Sequence, residues 1–132
     1  MNFMTKPKES NSNKKILLVD DDASIRELYK LKLSDADFDI LEASNISEAL
    51  KCAKEEQPDL IFLDILLPEE NGLEILRQLK EEDETADIPV IILTILKDES
   101  NKKKAKTLGA KDYLVKSQIV PDDVVKAAKK IL

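Results

Sequence analysis

Two groups of carboxylates sit in apolar surroundings. Asp20-Asp21-Asp22 follows Lys15-Ile16-Leu17-Leu18-Val19, and Asp64 interrupts Leu60-Ile61-Phe62-Leu63-Asp64-Ile65-Leu66-Leu67-Pro68. A carboxylate inside such a run is costly unless a cation or a hydrogen-bond donor meets it. The plain reading makes Asp64 a cap for the following loop. The chemical reading pairs it with a metal or makes it a nucleophile. Asp22 is placed to cap a helix starting near Ala23. One aspartate suffices for a cap, and three neighbours repel one another unless a cation sits among them. Two of them with Asp64 form a hard-oxygen set suited to Mg2+, completed by a backbone carbonyl and waters. Thr94 closes the apolar run before it, and Lys116 follows Leu114 and Val115. Singly, these read as a β-branched strand residue and a snorkelling lysine. Together, the metal site, carboxylate, hydroxyl and ammonium form a kit for phosphoryl groups. Cations neutralise the oxygens, the hydroxyl donates a hydrogen bond, and the carboxylate attacks.

Composition narrows the alternatives. The 132 residues carry a formal charge of −6, 42% hydrophobic residues and no His. That length suits one domain with an aliphatic core. Without His there is no His ligand, base or phosphohistidine in this chain. Two Gly exclude glycine-rich phosphate loops, and one cysteine, Cys52, excludes a disulfide framework or Cys-rich zinc site. Cys52 reads as a helix residue, not a nucleophile. No segment approaches the ~18 apolar residues of a membrane span. The lysines before residue 14 lack the apolar run of a secretory signal. A soluble, reducing, cytoplasmic setting is therefore expected. The acidic balance argues against direct DNA binding.

The elements that must position these groups alternate in texture. Residues 1–13 read as a disordered polar tail and 14–132 as one domain. Strand-like runs are Ile16–Val19, Phe38–Leu41, Leu60–Leu63, Val90–Leu93 and Tyr113–Val115. Helical periodicity joins Ile25, Leu28, Tyr29, Leu31 and Leu33 in a first helix, and Ile46, Ala49, Leu50 and Ala53 in a second. Leu73, Ile75, Leu76 and Leu79 mark a third, Ala105 and Leu108 a short fourth, and Val124, Val125, Ala128, Ile131 and Leu132 a fifth. Gln57-Pro58-Asp59, Asn71-Gly72, Ile88-Pro89, Leu108-Gly109-Ala110 and Pro121-Asp122-Asp123 punctuate them. The result is an α/β chain, (βα)5, with a doubly wound parallel sheet. The second run alternates in polarity and suits a sheet edge. Ligands in such sheets bind beyond the carboxyl ends of the strands. Asp20, Asp64, Thr94 and Lys116 all fall there.

In order and spacing, residues from about Lys14 to Leu132 resemble the receiver domain of two-component response regulators. The resemblance implies a flavodoxin-like strand order 2-1-3-4-5. It implies that Asp20 and Asp21 hold Mg2+ with Asp64 and the backbone carbonyl of Leu66. Asp64 then matches the phosphoacceptor, Thr94 the switch hydroxyl, Lys116 the phosphate-binding lysine and Tyr113 the switch aromatic. The family's D-x-x-x-P-x-x-x-G segment matches Asp64 to Gly72. Such a chain is a phosphoacceptor, not an enzyme, beyond self-phosphorylation from small donors and autodephosphorylation. The implied donor is a sensor histidine kinase or phosphotransfer protein. The output is a change in the face of the fourth helix, fifth strand and fifth helix, which meets a partner protein. Monomer and phosphorylation-dependent dimer both fit.

Three departures carry expectations. Ile95 replaces the usual small residue and crowds access to Asp64. Ser117 replaces the proline after the lysine, so a trans Lys116–Ser117 bond, or a strained compromise, is expected. Leu66 and Leu96 give an attacking water no polar anchor, so slow phosphoryl loss is expected. Lys102, Lys103, Lys104 and Lys106 read as a solvated face or as a docking patch for an acidic partner on the output surface. The sequence ends with the fifth helix, so output by protein contact is expected. A degenerate receiver that docks without phosphorylation is the alternative. A Mg2+-dependent phosphatase of the haloacid dehalogenase type, with Asp20 as nucleophile and Asp22 as acid, leaves Asp64 unexplained.

Overall fold

Alternation along the strands decides how the layers pack. A computed structural model describes residues 13–132. Apart from Asn13, the tail expected from the sequence lies outside the described residues. The central strands are β1 (Lys15–Val19), β2 (Asp39–Ala43), β3 (Leu60–Leu63), β4 (Val90–Thr94) and β5 (Asp112–Val115). They form one parallel sheet in the order β2-β1-β3-β4-β5. Successive side chains point to opposite faces. Leu17, Val19, Ile61, Leu63, Val90 and Ile92 therefore pack on one side. Ile16, Leu18, Leu60, Phe62, Ile91 and Leu93 pack on the other. Burying each such side chain contributes about 1.5–3 kcal/mol.

The helices are α1 (Ala23–Asp35), α2 (Ile46–Glu56), α3 (Gly72–Glu81), α4 (Glu99–Thr107) and α5 (Pro121–Ile131). Helices α2, α3 and α4 cover the first face, and α1 and α5 the second. Most starts are capped by a short polar side chain. Asp22 accepts from Ser24 and Ile25, Asn45 from Glu48, Asn71 from Leu73, and Asp98 from Asn101. At α5 the Asp123 carboxylate accepts from the Val120 amide at 2.9 Å. Gly109 takes φ +105° just past α4, as its position predicted.

Three sequence expectations shift. The second strand runs Asp39–Ala43, because Phe38 N–H is spent on the Leu33 carbonyl and pairing with β1 begins at Lys15↔Asp39. The broad apolar face of α1 narrows. Tyr29 and Leu33, four apart, are buried, whereas Leu28 and Leu31 are exposed. The segment after Asp64 forms a small antiparallel hairpin, Leu66–Leu67 with Glu70–Asn71, absent from the periodicity. No helix among the described residues is long and apolar enough to cross a membrane.

Candidate functional site

Four polar or charged side chains are buried among the described residues, and three lie at the carboxyl edge of the sheet: Asp20, Asp64 and Thr94. The fourth, Thr85, donates to the Leu79 carbonyl and is structural. Adjacent β1 and β3 deliver the two aspartates. The Asp20 amide donates to Ala43 and the Asp64 amide to Val19, which keeps both backbones in the sheet.

Lys116 links them. Its Nζ donates to Asp20 Oδ2 at 2.6 Å and to Asp64 Oδ2 at 2.9 Å. The remaining oxygens are held by backbone amides, Asp22 N on Asp20 Oδ1 at 2.9 Å and Leu66 N on Asp64 Oδ1 at 2.8 Å. Burial works against the Lys116 ammonium, but the hydrogen bonds and charges of Asp20 and Asp64 outweigh it and raise its pKa. A 3-10 turn, Lys116–Gln118, begins at the lysine itself, and the Lys116–Ser117 bond is trans. Asp21 is exposed beside them. Asp20, Asp21 and Asp64 each offer an oxygen within 4.8 Å of the others. Three hard oxygens at that spacing suit Mg2+.

These residues line a cleft of about 650 Å3, with Tyr29, Leu66, Pro68 and Ile95 among its walls. Ile95 is 55% exposed there and Leu66 45%. Leu66 and Ile95 thus line the same cleft as Asp64. Leu96 instead packs against the core. Thr94 is at the sheet edge, but its hydroxyl faces its own loop, accepting from Leu96 N at 3.4 Å. It does not line the cleft. Tyr113 donates its hydroxyl to the Leu96 carbonyl at 2.7 Å.

Sequence reasoning missed Arg26. Its Nη1 donates to the Asp20 carbonyl at 2.6 Å and its Nε to Glu42 at 2.9 Å. The signal was a basic residue one turn beyond the Asp22 cap, facing the acidic end of β2. The lysine run also divides. Lys103 and Lys104 border a groove against α3, while Lys102 and Lys106 flank Tyr113 and Asp112. Cys52 is half-buried in α2, where burial pushes its thiol pKa up.

Residues 16–129 match the response regulator receiver domain family, and the chain belongs to that family. Two transcriptional regulators illustrate the sequence likeness. The phosphate regulon regulatory protein PhoB of Pseudomonas aeruginosa is 41% identical over 90% of this chain and 52% of its own length. The alkaline phosphatase synthesis regulatory protein PhoP of Bacillus subtilis is 41% identical over 91% and 49%. The chain spans about half the length of these relatives. The chemotaxis protein CheY4 of Vibrio cholerae superposes with a TM-score of 0.84 at 29% identity, covering 92% of this chain and all of that one. The BeF3-activated receiver domain of Klebsiella pneumoniae RstA gives 0.80 at 28% identity, covering 88% and 96%. The flavodoxin-like fold read from the sequence stands, and receiver domains serve two-component signalling as phosphoacceptors that bind Mg2+ at an acidic cluster.

Proposed function

We propose that Asp64 accepts a phosphoryl group from a phosphohistidine of a sensor histidine kinase or phosphotransfer protein. The observation that carries this is one ammonium held between two buried carboxylates at the mouth of a cleft. Asp64 Oδ attacks phosphorus, the P–N bond breaks, and the imidazole leaves with the electron pair. Asp20, Asp21, Asp64 and the Leu66 carbonyl would hold Mg2+, which supplies positive charge to the phosphoryl oxygens. Lys116 supplies a second positive charge. The hydroxyl of Thr94 turns from its own loop to a phosphoryl oxygen. Moving the 94–96 segment then moves Tyr113, because the two are hydrogen-bonded. The consequence is a changed α4-β5-α5 face, which controls a downstream protein in the cytoplasm without direct DNA contact by this domain. The domain is residues 14–132, with 1–13 as a tail. It is monomeric or dimerises on phosphorylation, and its enzymatic capacity extends to self-phosphorylation from small donors and autodephosphorylation.

Ile95, exposed on the cleft, favours a second reading in which the domain docks partners without phosphorylation. Intact mass after incubation with Mg2+ and acetyl phosphate separates the two. A phosphoryl adduct on wild type, absent from Asp64→Asn, supports the acceptor. Retained Mg2+ affinity with no adduct from either acetyl phosphate or a phosphorylated phosphotransfer protein supports the docking module.

A further inference from the structure

Arg26 has no part in the reading above, yet it holds the backbone of the site. It lies four residues after the Asp22 cap, and its amide donates to the Asp22 carbonyl at 2.9 Å in the first turn of α1. Side chains on a helix lean toward its N-terminus, so the guanidinium reaches back to the segment that carries the aspartates. Nη1 donates to the Asp20 carbonyl at 2.6 Å, and Nε donates to Glu42 at 2.9 Å. Lys30 donates to the other Glu42 oxygen at 3.0 Å. The Arg26 side chain is only 17% exposed, more sheltered than the surface pairs that contribute little.

The two acidic neighbours differ in how they are held. Every polar atom of Asp20 has a partner. Its amide donates to Ala43, its carbonyl accepts from Arg26, and its carboxylate oxygens accept from Asp22 N and Lys116. Asp21 is exposed, and its carboxylate has no hydrogen bond among the described residues. The direction of Asp21 is therefore set through the backbone. The Asp20 carbonyl and the Asp21 amide share one rigid peptide plane. Fixing that carbonyl fixes the plane from which Asp21 departs. Ala43 and Glu42, adjacent on β2, thus anchor Asp20 on both sides, Ala43 at its amide and Glu42 through Arg26 at its carbonyl.

We propose that Arg26 is a positioning residue for the metal ligands: by holding the Asp20 carbonyl it sets the Asp21 carboxylate toward Asp20 and Asp64. The functional consequence rests on reading that acidic set as the Mg2+ site. The competing roles are a bystander ion pair with Glu42 and a plain charge effect, and the sign of the change separates them. A guanidinium near three carboxylates repels a cation, so loss of its charge alone would tighten Mg2+ binding. Loss of a positioning bond weakens it, by roughly 10- to 100-fold for outer partners of metal ligands.

The measurement is calorimetric titration of the full chain with Mg2+ at fixed ionic strength, in wild type, Arg26→Met and Arg26→Lys. Arg26→Met is expected to bind roughly tenfold more weakly. Arg26→Lys keeps the charge but cannot serve Asp20 and Glu42 with the same fork, so its affinity falls between the two. The Asp21 amide signal of the 15N-labelled chain shifts in both variants, because that N–H lies in the plane Arg26 holds. Equal or tighter Mg2+ binding by Arg26→Met, or an unmoved Asp21 amide, overturns the proposal. Where Arg26→Met does not fold, Arg26→Lys decides: wild-type affinity with an unmoved Asp21 signal overturns it. A wild type that takes up no Mg2+ overturns the metal reading itself, and the proposal with it.

Discussion

The Tyr113 hydroxyl is bonded to the Leu96 carbonyl at 2.7 Å, and the Leu96 amide is in turn bonded to Thr94 Oγ1. One short chain of contacts thus joins the aromatic of β5 to the hydroxyl at the end of β4. The proposed switch would run along this chain, from Thr94 to Tyr113. A hydrogen bond of this kind contributes about 1 kcal/mol net. In Tyr113→Phe the fold is retained, and backbone hydrogen exchange at Leu96 and Lys97 rises several-fold. Unchanged exchange there would remove the proposed link between site and output face.

Removing Lys116 leaves Asp20 and Asp64 facing each other without their cation. Lys116→Met is expected to destabilise the fold by about 3–5 kcal/mol, the scale of breaking a buried ion pair. Adding Mg2+ restores part of that loss, because the ion binds the same oxygens. Thermal denaturation with and without the metal checks both statements, the Mg2+ gain being larger for Lys116→Met than for wild type.

Leu66 and Ile95 wall the approach to Asp64, whereas Leu96 packs inward. Ile95→Ala therefore accelerates phosphorylation by acetyl phosphate. Phosphoryl loss is expected to be slow in wild type and to quicken in Leu66→Asn, where a water gains a polar anchor. Leu96→Asn gives little direct gain in hydrolysis. Decay of the intact-mass adduct measures each rate.

Gly72 is required by proximity. A Cβ there would meet the Ile65 Cα, and would lie 2.7 Å from the Asp64 carbonyl oxygen. Gly72→Ala must push α3 away from the segment that carries Asp64. A cost of about 1–3 kcal/mol is expected from such overpacking, with weakened Mg2+ binding by titration calorimetry.

Stability follows pH with opposite signs at its two ends. Hydrogen bonds from Arg26 and Lys30 hold the Glu42 carboxyl below the usual carboxylate range. Its contribution is present above the unfolded value of about 4.3 and is lost as pH falls through the lower folded value. Lys116 is raised, so its contribution is present below the unfolded value of about 10.4 and is lost as pH rises through the folded one. Glu42→Gln flattens the acid limb of denaturant midpoint against pH, and Lys116→Met flattens the alkaline limb.

Much of this was readable from the chain because it depends on local periodicity. Continuous apolar runs mark β1, β3 and β4 as buried strands, and Asp22, Asn71 and Gly109 act at helix ends through contacts within a few residues. The carboxyl-edge rule for parallel sheets then places Asp20, Asp64, Thr94 and Lys116 at one edge. The hairpin at Leu66–Asn71 escaped because two-residue strands carry no period. Its local signal was Pro68 followed by Glu69, which takes φ +57° in the turn. Contacts between distant segments were decided only by folding. Lys116 reaches Asp20 across 96 positions and Asp64 across 52. Arg26 reaches the Asp20 carbonyl, and Thr94 turns to its own loop, away from the cleft. The lysines of α4 part to two sides because successive residues on a helix are turned by about 100°. Residue types and spacing set which groups arrive at the edge, while packing of α1 and the β5–α5 connection against the sheet sets which of them touch.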